Sequence, residues 1–171
     1  MPQTLASCHT TVFSYGGNVT PPQDYGQWST LIQKRTAHWV DRYGAAEVRE
    51  WYFEVWNEPN LPGFWSGTQA DYWKLYTASA KAVKGVDTRL KIGGPASSKG
   101  NWIKEIITYT TKNKIPLDFV STHLYPQDEQ VQYPDRIGSP YKVGDFFSAT
   151  VKEVQQWVRQ SERPDLEIHW T

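Results

Sequence analysis

The densest chemical information lies in the stretch Trp51-Tyr52-Phe53-Glu54-Val55-Trp56-Asn57-Glu58-Pro59-Asn60. Aromatic and branched residues run into an amide and a carboxyl group, and Pro59 then removes a backbone donor and ends strand pairing. Glu58 therefore falls at the carboxyl end of a strand, the edge where parallel sheets gather their active sites. A carboxyl group held there can give or take a proton. Strand alternation sends Asn57 and Glu58 to opposite faces, so a bulge or an early turn must aim both into one pocket. A solvated turn would account for Asn-Glu-Pro alone. It does not account for that tripeptide behind a buried strand and ahead of Asn60-Leu61-Pro62-Gly63-Phe64-Trp65.

His123 and Tyr125 stand two apart at another strand end and share a face. A lone histidine is commonly a satisfied core residue; with Tyr125 beside it at a strand edge, a place in the site is the favoured reading. Phe64 and Trp65 either wall a ligand or cap the rim of the sheet, and their types do not decide between the two. Glu54, four residues before Glu58, reads as part of an interior hydrogen-bond network rather than as a catalyst. A metal centre is not indicated, since His9, His38, His123 and His169 show no ligand-pair spacing on one helix. Gly93-Gly94-Pro95 lacks the Gly-Lys pattern of a phosphate loop.

The elements that must position these groups alternate. Four short segments read as buried strands: Tyr52 to Trp56, Leu90 to Gly93, Leu117 to Thr122 and Leu166 to Trp170. Before and between them lie helical patterns. The first runs from Asp24 to Tyr43 with Gly44 as its stop. The second opens at a capping box, Thr68 with Asp71, and ends before Gly85. Trp102, Ile103, Ile106, Ile107 and Thr110 mark a third, and Phe147, Val151, Val154 and Val158 a fourth. Strands alternating with helices imply right-handed parallel units covered on their faces. The polar loop from Pro126 to Tyr141 is a plain connector or a lid. Four units fit either a four-strand open sheet with helices on both faces or half of a (β/α)8 barrel, which typically needs about 250 residues.

Composition narrows the class. The 171 residues carry 18 basic and 18 acidic side chains, a formal net charge of +0. That balance offers no electrostatic footing for nucleic acid. No stretch approaches the roughly 20 apolar residues of a membrane helix. The single cysteine, Cys8, makes no internal disulfide and permits a reducing, cytoplasmic setting. Nine Trp and ten Tyr against six Phe either fill the seam between helices and sheet or line a groove for a flat, partly apolar ligand such as a sugar ring.

The run from Trp51 to Leu61, with Phe64-Trp65 behind it, resembles the fourth-strand signature of glycoside hydrolase family 39, the β-xylosidases and relatives on (β/α)8 barrels of the large retaining clan. His38 to Gly44 with Val48 and Trp51 is similar to the helix leading into that strand. Gly93-Gly94-Pro95 resembles the fifth strand's end, and Asp118 to Tyr125 the sixth strand. The resemblance covers nearly the whole chain. It implies an α/β fold that is a partial (β/α)8 barrel, about strands four to seven with their helices, forming one incomplete catalytic domain over residues 1–171. It implies that Glu58 is the general acid/base, that Asn57 bonds the sugar 2-hydroxyl, and that His123 and Tyr125 border the sugar; Phe64 and Trp65 either wall the leaving-group side or cap the barrel rim. The expected substrates are xylosides or xylo-oligosaccharides, with no metal or other cofactor.

Retention requires a second carboxylate about 5 Å from the first. The family's nucleophile follows a Thr at the seventh strand's end, and this sequence stops at Thr171. Glu167 lies early in that strand, roughly 10 Å below the rim at about 3.3 Å per residue. The expectation is that these residues carry the acid/base without its nucleophile and are inactive alone. Open parallel edges are further expected to promote self-association. The alternatives are another retaining glycosidase of the clan, iduronidase-like, or a non-catalytic carbohydrate-binding unit.

Overall fold

A computed structural model describes residues 1–11, 13–125, 128 and 145–171. Each described helix has a local reason for its ends. Asp24 caps α1 (Tyr25–Tyr43) by accepting from the backbone N–H of Gly26 at 2.6 Å and of Gln27 at 3.1 Å, and Gly44 ends it at φ 86°. A four-residue turn, α2 (Ala45–Val48), leads into the first strand. The Thr68–Asp71 capping box opens α3 (Gln69–Val86). Then follow α4 (Ile103–Asn113) and α5 (Phe146–Arg159). No described helix is long and apolar enough to cross a membrane.

The strands are β1 (Tyr52–Glu54), β2 (Lys91–Ser98), β3 (Phe119–His123) and β4 (Glu167–Trp170), in the order β1-β2-β3-β4 and parallel throughout. Each neighbouring pair is joined through a helix. β3 is buried along its whole length and β2 from Ile92 onward, whereas β1 and β4, at the margins, are half exposed. That is the burial a parallel sheet requires of its inner strands.

At the carboxyl edge, two strand ends differ by two residues or more from those read in the sequence. β1 stops at Glu54, two residues short of Trp56, because Trp56 turns to φ 73°. β2 does not end at Gly93-Gly94-Pro95 but runs on to Ser98. The register shifts between Pro95 and Ser97, with Ala96 at φ 52°, so a bulge takes up the proline within the strand. Gly93 is obligatory here. A Cβ on it would lie 2.3 Å from the Phe119 carbonyl oxygen and 2.7 Å from the Phe119 ring.

Most of the aromatic surplus goes to the helix–sheet seam. Trp65, Tyr72, Trp73, Trp102 and Tyr109 form a chain of ring contacts with centroids 5.4 to 6.2 Å apart. The polar tips are satisfied: Tyr72 donates to the Val55 carbonyl, Tyr76 to that of Pro116, and the Trp28 indole to Ser79 Oγ. Burial holds the Tyr72 and Tyr76 phenols well above their ordinary titration range.

The opposite face of the sheet is concave. Tyr52 of β1 donates to Glu167 Oε2 of β4 at 2.8 Å, and the Tyr52 and His169 rings lie 4.4 Å apart. Three strand spacings separate β1 from β4, about 14 Å in a flat sheet. Their side chains meet because the sheet curls. The hydrogen bonds from His169 and Tyr52 hold the Glu167 carboxyl below its usual range.

Candidate active site

The carboxyl ends of β1, β2 and β3 converge on Glu58. Left-handed backbone at Trp56 (φ 73°) and Glu58 (φ 44°) makes the early turn that alternation demands. Such conformations are costly for residues with side chains and persist where surrounding bonds hold them. Those bonds are present. Glu58 N–H donates to the Ala96 carbonyl at 2.8 Å, and Leu61 N–H to the Glu58 carbonyl at 2.9 Å. Asn60 clasps the end of β2, accepting from Ser98 N–H at 2.8 Å and donating to the Ser98 carbonyl at 3.3 Å. Ala96 is itself held by its N–H donating to Ser121 Oγ at 3.1 Å.

His123, the last residue of β3, shares a 3.0 Å hydrogen bond between its Nδ1 and Glu58 Oε1. The two side chains are 11% and 12% exposed, so the pair is sheltered but open to a ligand at the rim. The Lys99 N–H donates to the His123 carbonyl at 2.7 Å and fixes the strand end. Tyr125 stands beside the imidazole, ring centroids 6.5 Å apart, and is 47% exposed. Its N–H donates to Asp128 Oδ2 at 2.8 Å, and Asp128 Oδ1 lies 3.6 Å from Lys99 Nζ. Asn57, next to Glu58 in the chain, is exposed.

The structure separates Phe64 from Trp65. Phe64 is half-buried, packs on Phe13 at 5.1 Å, and faces a cleft that Asn57 also lines. Trp65 is 2% exposed, donates its indole N–H to the Thr68 carbonyl, and packs on Trp56 and Tyr72. It has no surface left for a ligand. Glu54 faces the concave side, where Thr171 Oγ1 donates to its Oε2 at 3.3 Å. Except for Asp128, the loop weighed as a lid lies outside the described residues. Among the described residues no group of three or more His, Cys, Asp or Glu is placed to hold a metal ion.

Sequence reasoning missed the residues that shape the turn. Asn60 was legible in kind, as an Asx residue just behind a strand-ending proline. Ala96, Ser98 and Ser121 carry no local signal, because their part depends on the bulge.

An arc of parallel βα units with a carboxyl–imidazole pair on its carboxyl edge is the arrangement of (β/α)8-barrel enzymes. The profile of "Glycosyl hydrolases family 39" matches residues 1–171, and the chain belongs to that family. It is 54% identical over 129 residues to a Beta-xylosidase of Caldicellulosiruptor saccharolyticus, covering 75% of this chain and 26% of the relative. It is 42% identical over 181 aligned residues to a Beta-xylosidase of Geobacillus stearothermophilus, covering 100% of this chain and 35% of that one. The crystal structure of a monomeric beta-xylosidase from Caulobacter crescentus CB15 superposes with a TM-score of 0.87 at 36% identity, over 99% of this chain and 35% of that chain. The fold is thus part of a family 39 barrel. The chain spans about a third or less of the relatives it matches.

Proposed function

We propose that Glu58 is the general acid/base of a retaining glycoside hydrolase that removes terminal β-xylosyl residues. A glycosidic oxygen leaves poorly unless protonated, and proton transfer from a positioned carboxylic acid typically contributes about 10²- to 10⁴-fold. Glu58 protonates that oxygen as the sugar passes to a nucleophilic carboxylate about 5 Å away, then deprotonates the water that releases it. His123 holds one carboxyl oxygen and leaves the other for the glycosidic oxygen. Asn57 bonds the sugar 2-hydroxyl, an interaction that strengthens as oxocarbenium character develops. Tyr125 borders the sugar beside His123, and Phe64 lies toward the leaving group.

The observation that carries this reading is the 3.0 Å Glu58–His123 bond at the strand ends of a family 39 chain. On this reading the nucleophile is neither Glu54 nor Glu167, whose carboxylates bond Thr171, Tyr52 and His169 on the concave face. The 171 residues on their own are accordingly expected not to complete a double displacement. In a form of the protein that turns over β-xylosides, Glu58→Ala should cost roughly 10²-fold or more with a poor alkyl leaving group. With a dinitrophenyl leaving group, which departs unprotonated, glycosylation should be nearly unchanged. Equal losses for both would sink the acid/base role. Turnover by the isolated 171 residues, abolished by Glu58→Ala, would sink the missing-nucleophile reading.

A further inference from the structure

Tyr125 is 47% exposed, so burial does not hold its ring beside His123. The chain just past β3 does. Tyr125 N–H donates to Asp128 Oδ2 at 2.8 Å, and Asp128 N–H returns a bond to the Tyr125 carbonyl at 2.9 Å. The second carboxylate oxygen, Oδ1, lies 3.6 Å from Lys99 Nζ. At that separation the contact is an ion pair rather than a hydrogen bond. The Lys99 and Asp128 side chains are only 12% and 14% exposed. Charges sheltered in this way are weakly screened by salt, and removing one partner strands the other.

Lys99 occupies a backbone position that glycine fills at least cost, with φ 67°. Gly100 follows at φ 73°. The side chain carried at Lys99 despite that cost brings a cation to the carboxylate of Asp128. The main chain beneath it is pinned: Lys99 N–H donates to the His123 carbonyl at 2.7 Å, and Gly100 N–H to Thr122 Oγ1 at 2.9 Å. Lys99 thus grips the end of β3 at two points. Its main chain holds His123, and its ammonium group holds the Tyr125 turn through Asp128.

We infer that Lys99 and Asp128 are positioning residues for substrate binding. The ammonium group seats the Asp128 carboxylate, the carboxylate orders the turn at Tyr125, and the turn holds the phenol at the sugar's edge. Replacing either side chain leaves the Lys99 main-chain bond to His123 in place, and Glu58 N–H keeps its own bond to the Ala96 carbonyl. The pair therefore bears on affinity for the sugar and not on proton transfer. The inference rests on the glycosidase reading, because it takes Tyr125 as bordering the sugar.

The test is steady-state kinetics on xylobiose, in a form of the protein that turns over β-xylosides. Asp128→Asn should raise KM by roughly 3- to 10-fold, the size of one lost polar contact, with kcat changed by less than about 2-fold. Lys99→Met should do the same, whereas Lys99→Arg, which keeps the cation, should hold KM within about 2-fold of wild type. The double variant Lys99→Met/Asp128→Asn should be no worse than either single one. In a Tyr125→Ala background, Asp128→Asn should cost nothing further, a dependence that a merely structural role would not produce. Should Lys99→Met not fold, the Asp128→Asn and Tyr125→Ala cycle decides. Additive losses, or a fall in kcat at unchanged KM, overturn the positioning role. If Tyr125→Ala raises KM and Asp128→Asn does not, the pair alone is refuted. If Tyr125→Ala changes neither constant, the place given to Tyr125 in the proposed function falls and takes this inference with it.

Discussion

Glu58 Oε1 and His123 Nδ1 meet at 3.0 Å across 65 positions of sequence, each at the end of a different parallel strand with the bulged β2 between them. The bond restricts the carboxyl group to one orientation, which a proton donor needs if the acceptor oxygen is to be met at hydrogen-bond distance. In the proposed reaction the imidazole acts through Glu58, by holding its carboxyl group.

Removing the imidazole should therefore misplace the acid without abolishing it. His123→Phe is expected to lower kcat by roughly 10- to 100-fold for a substrate with a poor leaving group, in line with the cost of small misplacements, and to move the limbs of the pH–rate profile. An unchanged profile with unchanged kcat would exclude the positioning role.

Gly93 tests the packing under the site. With its Cβ position 2.3 Å from the Phe119 carbonyl oxygen, Gly93→Ala should force β2 and β3 apart and destabilise the fold by about 1–3 kcal/mol. Urea unfolding of the two proteins measures this, and an unaltered midpoint would refute the close approach.

Asp87 gives a pH signature. The Arg89 backbone N–H and the Arg49 guanidinium hold its carboxyl down at about 2, against an ordinary value of about 3.9. A carboxyl group depressed on folding stabilises the native state above its unfolded pKa, and that contribution disappears as pH falls through the folded one. Asp87→Asn should thus be less stable than wild type at pH 7, with the gap narrowing between about pH 4 and pH 2. A gap that widens on acidification would contradict the assignment.

The margins of the sheet make a prediction of their own. β1 and β4 each have one neighbour in the described sheet, and Tyr52 and Trp170 upon them are exposed. Unpaired strand edges recruit other strands. We expect the 171-residue chain, studied by itself, to self-associate with rising concentration. A monomer by sedimentation at all accessible concentrations would show that the edges are guarded.

The alternation of helices and strands was legible because each element has its own hydrophobic period and the helices carry explicit stops, Asp24, Gly44 and the Thr68–Asp71 box among them. Strand ends were less legible. Gly93-Gly94-Pro95 has the composition of a terminus, yet the bulge keeps it in the ladder. Nothing in the sequence announces a left-handed Trp56. Glu58 and His123 stood out as strand-end residues, but their meeting depends on the register of β2 between them. Phe64 and Trp65 are adjacent and chemically alike, so only tertiary packing separates a cleft wall from a core residue. Phe13 belongs to no motif at all, and its placement beside Asn57 follows from the path of the first twenty residues.

The phenol of Tyr52 resting on the carboxylate of Glu167 acts as a tie-rod across an arch. The curl of the sheet is present within these residues, and this contact ties its two margins. The segment carries its own radius of curvature, and the seat of Glu58 against His123 travels with it.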